Sequence, residues 1–298
     1  MLRPAEPIDV ALTLRPLARG MVDPTMRVQQ GEVWRATRTP EGPATMRVCN
    51  SGNDIVVTAW GEGATRALDQ AEELVGVKDD HSAFRPSNRR LRELTRHLAG
   101  LRLACTRRVV EVLIPTVVEQ RVQGMEARKS YRSLVRETSE PAPGPSIVGT
   151  GLMLPPDPAR LATMPYYEFH SFGIERRRAD VIRRICSAAS RLEETCDMDR
   201  ATARQRLTAI SGVGPWTSEY CMLLALGDPD AVIVGDYNLP SVVAWVLAGE
   251  RSADDDRMLE LLEPFRGQRG RAMLIIEASG IRPPRRAPRS RVRSIARI

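Results

Sequence analysis

The sequence predicts an α+β protein in which a small antiparallel sheet at the amino-terminal end is followed by an all-helical body. Up to about residue 62, runs rich in β-branched and aromatic residues are separated by short Gly, Asn and Pro turns, the pattern of antiparallel neighbours. From residue 91 onward the apolar residues recur at helical spacing, as they do on helices with one buried face. The chain has 298 residues and 42% apolar content, enough for a sizeable core. The expected organisation is a sheet-plus-helix domain over 1–85, a helical domain over 86–281 and a basic tail over 282–298.

Taken in order, Val10–Leu14 is rich in β-formers and reads as a first strand, and GEVWRATR alternates before the turn PEGP at 40–43. TMRVCN and DIVVTAW flank NSGN, a hairpin signal. GATRALDQAEELVG reads as a helix, with Ala67, Ala71, Leu74 and Val75 on one face and Gly76 as its stop. The polar stretch 77–90 reads as a linker. RLRELTRHLAG is an amphipathic helix ending at Gly100. CTRRVVEVLI and PTVVEQ follow, with Pro115 either beginning a new helix or kinking the old one. RVQGMEARKSYRSLVRET continues helically, and 139–151 is a loop rich in proline and glycine. Further helices fit DPARLATM, ERRRADVIRRICSAASRLEE and DRATARQRLTAI, then PWTSEYCMLLAL, a segment beginning near Asp236, DDRMLELLEPF and GRAMLIIEAS.

Composition narrows the class. No run of 18 apolar residues occurs, so no membrane span is expected, and the start lacks the apolar centre of a signal peptide. The cysteines, at 49, 105, 186, 196 and 221, form no CxxC pair, which argues against a zinc site or a disulfide framework and for reduced thiols in cytoplasm. The net charge of +7 is carried almost wholly by arginine, since lysine occurs only at 78 and 129. A guanidinium fork matches phosphate oxygens, so a polyanionic partner is favoured. The tail holds seven arginines and no acid, which reads either as a phosphate-binding extension or as a solvated end. His81, His97 and His170 have no partner spacing that implies a metal or a triad.

The sharpest local signal is ISGVGPWTSEY, 210–220. A helix ending at Ile210, a turn bracketed by Gly212 and Gly214, and a new helix from Pro215 make a helix-hairpin-helix candidate. Glycine permits positive φ and leaves backbone amides open to a phosphate. Proline at the first helical position gives up an N–H that has no helical partner, and the amides after it form an anion site. Further on, VGDYNLP presents a lone carboxylate, Asp236, which either caps a helix and does no more or serves chemistry.

The order of these parts resembles the helix-hairpin-helix DNA glycosylase superfamily, of the 3-methyladenine DNA glycosylase II type. The resemblance takes in the β-rich start, VVEQRVQGMEARKS at 117–130, the hairpin, VGDYNL and EPFRGQRGRAML at 263–274. It implies a TATA-binding-protein-like sheet domain before an all-helical glycosylase body. It also implies a partner, duplex DNA with damaged bases, and a monomer as the acting form. Asp236 matches the catalytic aspartate, which would stabilise positive charge on the deoxyribose and orient water. Gly212, Val213, Gly214 and Thr217 match the phosphate-binding hairpin. The carbonyls of Thr208, Ile210 and Val213 match those that hold a monovalent cation; no other cofactor is expected.

Trp216 stands where the lyase branches have a nucleophilic lysine, so a monofunctional hydrolase is expected. No cysteine follows Cys221, so no iron–sulfur loop is expected. Gln120 and Arg121 match the intercalating tip, with Val122 as the wedge if the register shifts by one. Trp216 and Tyr220 match aromatic positions of the base pocket, although both also fit as core residues of an amphipathic helix. Glu277 stands where a further pocket aromatic is expected. That departure leaves open the alternatives of a deaminated or oxidised lesion, or of a damaged-DNA-binding protein without catalysis.

Overall fold

The computed structural model describes residues 1–145 and 151–284. Four strands, β1 (Met26–Gln29), β2 (Glu32–Thr39), β3 (Gly42–Ser51) and β4 (Asp54–Trp60), form one antiparallel meander in chain order. Tight turns join them: Thr39 pairs with Gly42, and Ser51 with Asp54. Alternation fixes which face is dry. Val33, Met46, Val48 and Ile55 are buried on one side, where α2 (Ala64–Asp69) and α3 (Ala71–Leu74) bring Ala67, Ala71 and Leu74. Gly76 ends this pair of short helices at a φ of 75°.

The first expected strand is a helix. Val10–Leu14 forms α1, because Asp9 accepts the Leu12 N–H at 2.8 Å and so caps the turn. Val10, Thr13 and Leu14 then fall on one buried face at helical spacing. Burial against the sheet outweighs the weak β preference of these residues. The sheet therefore begins only at Met26.

The helical body starts with α4 (Arg89–His97), α5 (Val109–Val118) and α6 (Gly124–Thr138). Pro115 neither begins nor ends a helix: α5 runs through it. The CTRR stretch expected to lead into α5 lies outside the helix, with Arg107 at a φ of 49°. Thr106 and Arg107 donate their N–H groups to the carbonyls of Leu224 and Ala225, at 3.1 and 2.9 Å. Next come α7 (Pro158–Thr163), α8 (Tyr166–Ser171), α9 (Arg176–Ser187) and α10 (Ala189–Glu193). Then follow α11 (Arg200–Thr208), α12 (Pro215–Leu224), α13 (Leu239–Ala248), α14 (Asp255–Leu262) and α15 (Arg269–Ala278). On helix α8, Phe169 is fully buried while Tyr167 is 72% exposed. The expected tail lies outside the described residues from 285 onward.

The polar stretch 77–90 is held rather than loose. Asp79 takes a bidentate pair from Arg271 of α15, at 2.7 and 2.6 Å, and accepts the Leu103 N–H at 3.0 Å. Phe84 is buried against Phe265, with ring centres 6.2 Å apart. The sheet is fastened to α5 in the same manner. Glu111 accepts from Arg35 at 2.6 Å, from the Thr37 hydroxyl at 2.9 Å and from the Arg38 N–H at 2.6 Å.

The side chains of Arg271 and Asp79 are only 4% and 9% exposed. Asp79→Ala strands a buried guanidinium and is expected to lower unfolding free energy by about 3 kcal/mol, read from denaturant midpoints.

Candidate active site

Between α11 and α12 the chain makes the expected hairpin, and its two glycines have different reasons to be there. Gly212 has a φ of 96°, and a Cβ on it would stand 2.2 Å from Val181 Cγ2 on α9. Packing demands that glycine. Gly214 has an ordinary φ of −93°, and a Cβ there would meet no atom within 4 Å. Nothing inside the protein demands it, but the open backbone suits close approach by something from outside. Val213 between them is buried, and its N–H donates to the Ile210 carbonyl at 2.9 Å. Pro215 opens α12, so the N–H groups of Trp216 and Thr217 stand at its mouth without helical acceptors.

Two of the residues expected to contact DNA meet each other. The Gln120 amide donates to the Thr217 hydroxyl at 2.8 Å and to the Gly212 carbonyl at 3.1 Å. Thr217 is buried, so its side chain is a strut of the hairpin. Gln120 ties the turn between α5 and α6 to the hairpin for the same reason. Arg121 and Val122, the two candidates for the tip, stand differently. Arg121 is exposed at a φ of 56°, whereas Val122 is partly buried against the main core. Such a left-handed arginine costs about 1–2 kcal/mol, and strain of this kind gathers at working sites.

Asp236 lies just before α13. The helix cap by position is Asn238, not Asp236, yet the aspartate does the capping work. Its Oδ1 accepts the N–H groups of Asn238 and Leu239 at 2.8 and 2.9 Å. Its Oδ2 accepts from the indole N–H of Trp216 at 3.3 Å. Gly235, at a φ of 81°, turns the chain there and donates its N–H to Asp255 at 2.8 Å. The Trp216 and Tyr220 rings meet edge to face with centres 4.9 Å apart. The structure thus brings the hairpin, the aromatic pair and the carboxylate together on one end of α12.

Two further acids act on this place. Burial first, and then the charges of Asp236 and Glu119, push the Tyr220 hydroxyl above its ordinary range. Glu277, at the end of α15, is also raised, by burial and by Asp236, with Arg282 opposing from 3.2 Å. Glu119 itself pairs with Arg19 at 3.1 Å. Sequence reasoning missed both members of that pair, which are distant in the chain: Arg19 falls in no motif, and Glu119 lies within VVEQRVQGMEARKS without a role assigned to it. Among the described residues no cluster of His, Cys, Asp or Glu suits a metal ion. The main-chain carbonyls are another matter: Thr208 ends α11, and carbonyls at a helix end lack helical donors and carry partial negative charge. Hard oxygens of this kind fit a monovalent cation.

No family model matches the chain. A segment of 48 residues is 48% identical to the "Probable bifunctional transcriptional activator/DNA repair enzyme AlkA" of Mycobacterium tuberculosis. That segment is 16% of this chain and spans only 9% of that protein. Among solved structures, a 3-methyladenine DNA-glycosylase from Archaeoglobus fulgidus is similar with a TM-score of 0.77 and 18% identity, over 93% of this chain and 98% of that one. The 8-oxoguanine glycosylase/lyase of Clostridium acetobutylicum, in complex with double-stranded DNA containing 8-oxoG, gives 0.70 and 14%, over 92% of each chain. The four-stranded meander, the helical body and the hairpin together have the fold of the helix-hairpin-helix DNA glycosylases.

Proposed function

We propose that the protein is a monofunctional DNA glycosylase that removes damaged bases, alkylated purines above all, from duplex DNA. The observation that carries this reading is the hydrogen bond from Trp216 to Asp236, which sets a fixed carboxylate against an aromatic pair beside an open hairpin.

The chemistry follows from the parts. Hairpin amides and the backbone at Gly214 receive a phosphate, and the exposed Arg121 enters the duplex where the damaged nucleotide leaves it. Trp216 and Tyr220 receive the base on their rings. The bond between C1′ and the base nitrogen breaks, and its electron pair stays on the nitrogen. The positive charge left on C1′ is met by Asp236 Oδ2, whose partner oxygen is already filled by helix N–H groups. Water adds to C1′, its proton passes to the carboxylate or to solvent, and an abasic site remains. An indole is no nucleophile toward the sugar, so Trp216 gives no Schiff base and the strand stays whole. A monovalent cation on the carbonyls of Thr208, Ile210 and Val213 would add attraction for the phosphate. Thr217 contributes its amide alone.

Base release from duplex DNA carrying single defined lesions is the deciding experiment. Asp236→Asn is expected to keep DNA affinity and to lose roughly 100-fold or more in the rate of release. Borohydride added during turnover should trap no covalent protein–DNA adduct. The glycines should part company in a paired test. Gly214→Ala is expected to leave the melting temperature nearly unchanged and to weaken DNA binding, whereas Gly212→Ala should destabilise the fold itself by about 2 kcal/mol.

A further inference from the structure

Three of the large apolar side chains left in water, Met21 at 97%, Val22 at 51% and Met125 at 58% exposure, belong to one place on the surface. Met21 and Val22 form the tip of a short turn that is closed at its base. The Arg19 N–H donates to Asp23 Oδ2 at 2.6 Å, and Asp23 Oδ1 accepts the N–H and the hydroxyl of Thr25, both at 2.8 Å. Asp23 is buried, so this base is fixed. Gly20 carries the chain round at a φ of 90°, which a side chain would strain. The turn is anchored against the helices on both sides of Arg121. Arg19 Nη1 lies 3.1 Å from Glu119 Oε2 at the end of α5. On the other side Gly20 faces α6, where a Cβ on it would stand 3.0 Å from Arg128 Cδ. Met125 lies one turn before Arg128 on the same side of α6. The two apolar segments therefore flank the stem of Arg128. Apolar groups held in water on a fixed turn add nothing to the fold.

We propose that Met21 and Val22, with Met125, form an apolar wedge that presses into the minor groove of duplex DNA beside Arg121; this rests on the DNA-binding part of the reading above. Charge selects the occupant. Arg121, Arg128 and Lys129 are exposed around the patch. Of the acids on this stretch, Glu119 is paired with Arg19 and Glu126 is half-buried. An apolar tip ringed by cations fits a polyanion with an apolar interior. In a duplex the phosphates meet the cations, and sugar faces and base edges meet the tip. An apolar protein partner would leave the cations unmatched. Methionine suits the task, because an unbranched, polarizable side chain fills a narrow gap of irregular shape. The effect is mechanical. A wedge opens one base step and kinks the duplex toward the major groove, and the stacking lost there lowers the cost of turning out the neighbouring nucleotide. Rigidity of the turn matters, since a loose tip would yield before stacked bases did. The wedge has no part in bond breaking, which is the work of Asp236.

The test separates apolar contact from charge. Affinity for a duplex carrying a tetrahydrofuran abasic analogue is measured across a salt series, with a donor and an acceptor dye on the duplex ends to report its bend. The double change Met21→Ser with Val22→Ser is expected to weaken binding roughly tenfold at every salt concentration, with the salt slope unchanged, and to lose most of the bend. Arg128→Gln should instead lower the salt slope by about one. Met21→Leu should keep both affinity and bend. The serine variant should melt within about 2 °C of wild type, because the groups it replaces stand in water. Unchanged affinity and bend in the serine variant overturn the wedge, as does a loss confined to low salt. Self-association of wild type that the serine variant abolishes, with DNA affinity kept, assigns the patch to a second copy of the chain and overturns it too. Wild-type protein that shows the wedge behaviour but releases no base removes the glycosylase reading and leaves the wedge standing.

Discussion

One carboxylate, fixed from two helices, is the constraint around which the site is arranged. Asp236 is bound through one oxygen to the start of α13 and through the other to a side chain of α12. A group held in that way cannot swing to find its substrate. In the function proposed above, the sugar would have to be delivered to it, and the parts around the carboxylate are rigidly held. Gly235 turns the chain into place and is itself tied to Asp255 at 2.8 Å. Trp216 links the carboxylate to the aromatic pair, because the residue that fixes Asp236 also packs on Tyr220.

Delivery depends on how the hairpin and the α5–α6 turn are joined. Gln120 binds the Gly212 carbonyl and Thr217, so the arginine at position 121 and the amides at the mouth of α12 move as one body. Val181 presses on Gly212 from behind and leaves no room for a side chain there. In the function proposed above, a phosphate at Gly214 would therefore sit at a fixed offset from both Arg121 and Asp236. Fixed offsets are what turn binding energy into orientation.

Much of this could be read from the chain before any coordinates. GxG followed by Pro is local chemistry, and its turn, its open amides and its helix start all depend on residues close together in sequence. The same holds for NSGN between two strands, which pairs as expected from Asn50 with Ile55 to Ser51 with Asp54. What could not be read depends on partners far away. Val10–Leu14 has strand-forming residues, and only Asp9 below it and the sheet beside it make it a helix. The run 77–90 is polar, and nothing in its own sequence reveals that Arg271 will seize Asp79. Thr217 and Gln120 each resemble free hydrogen-bonding groups until they are seen together. Arg19 belongs to no motif, and Glu119, though inside VVEQRVQGMEARKS, gives no sign there that Arg19 will hold it.

These distant contacts also explain why a sheet should precede a helical body that contains the whole hairpin. Helix α5 is gripped at both ends by residues from before the linker: Glu111 in its first turn by Arg35, Thr37 and Arg38, and Glu119 at its end by Arg19. Shielded ion pairs add little net stability compared with apolar contacts of the same size. What they do impose is direction, since a guanidinium and a carboxylate bond well in few orientations. Beyond the far end of α5 lie Gln120, the strut of the hairpin, and the exposed Arg121. Steering that end by charge lets the amino-terminal region set the aim of a site to which it contributes only one side chain. A hydrophobic contact of equal strength would allow α5 to slide along its axis, and each ångström of slip would carry Arg121 away from the carboxylate it serves.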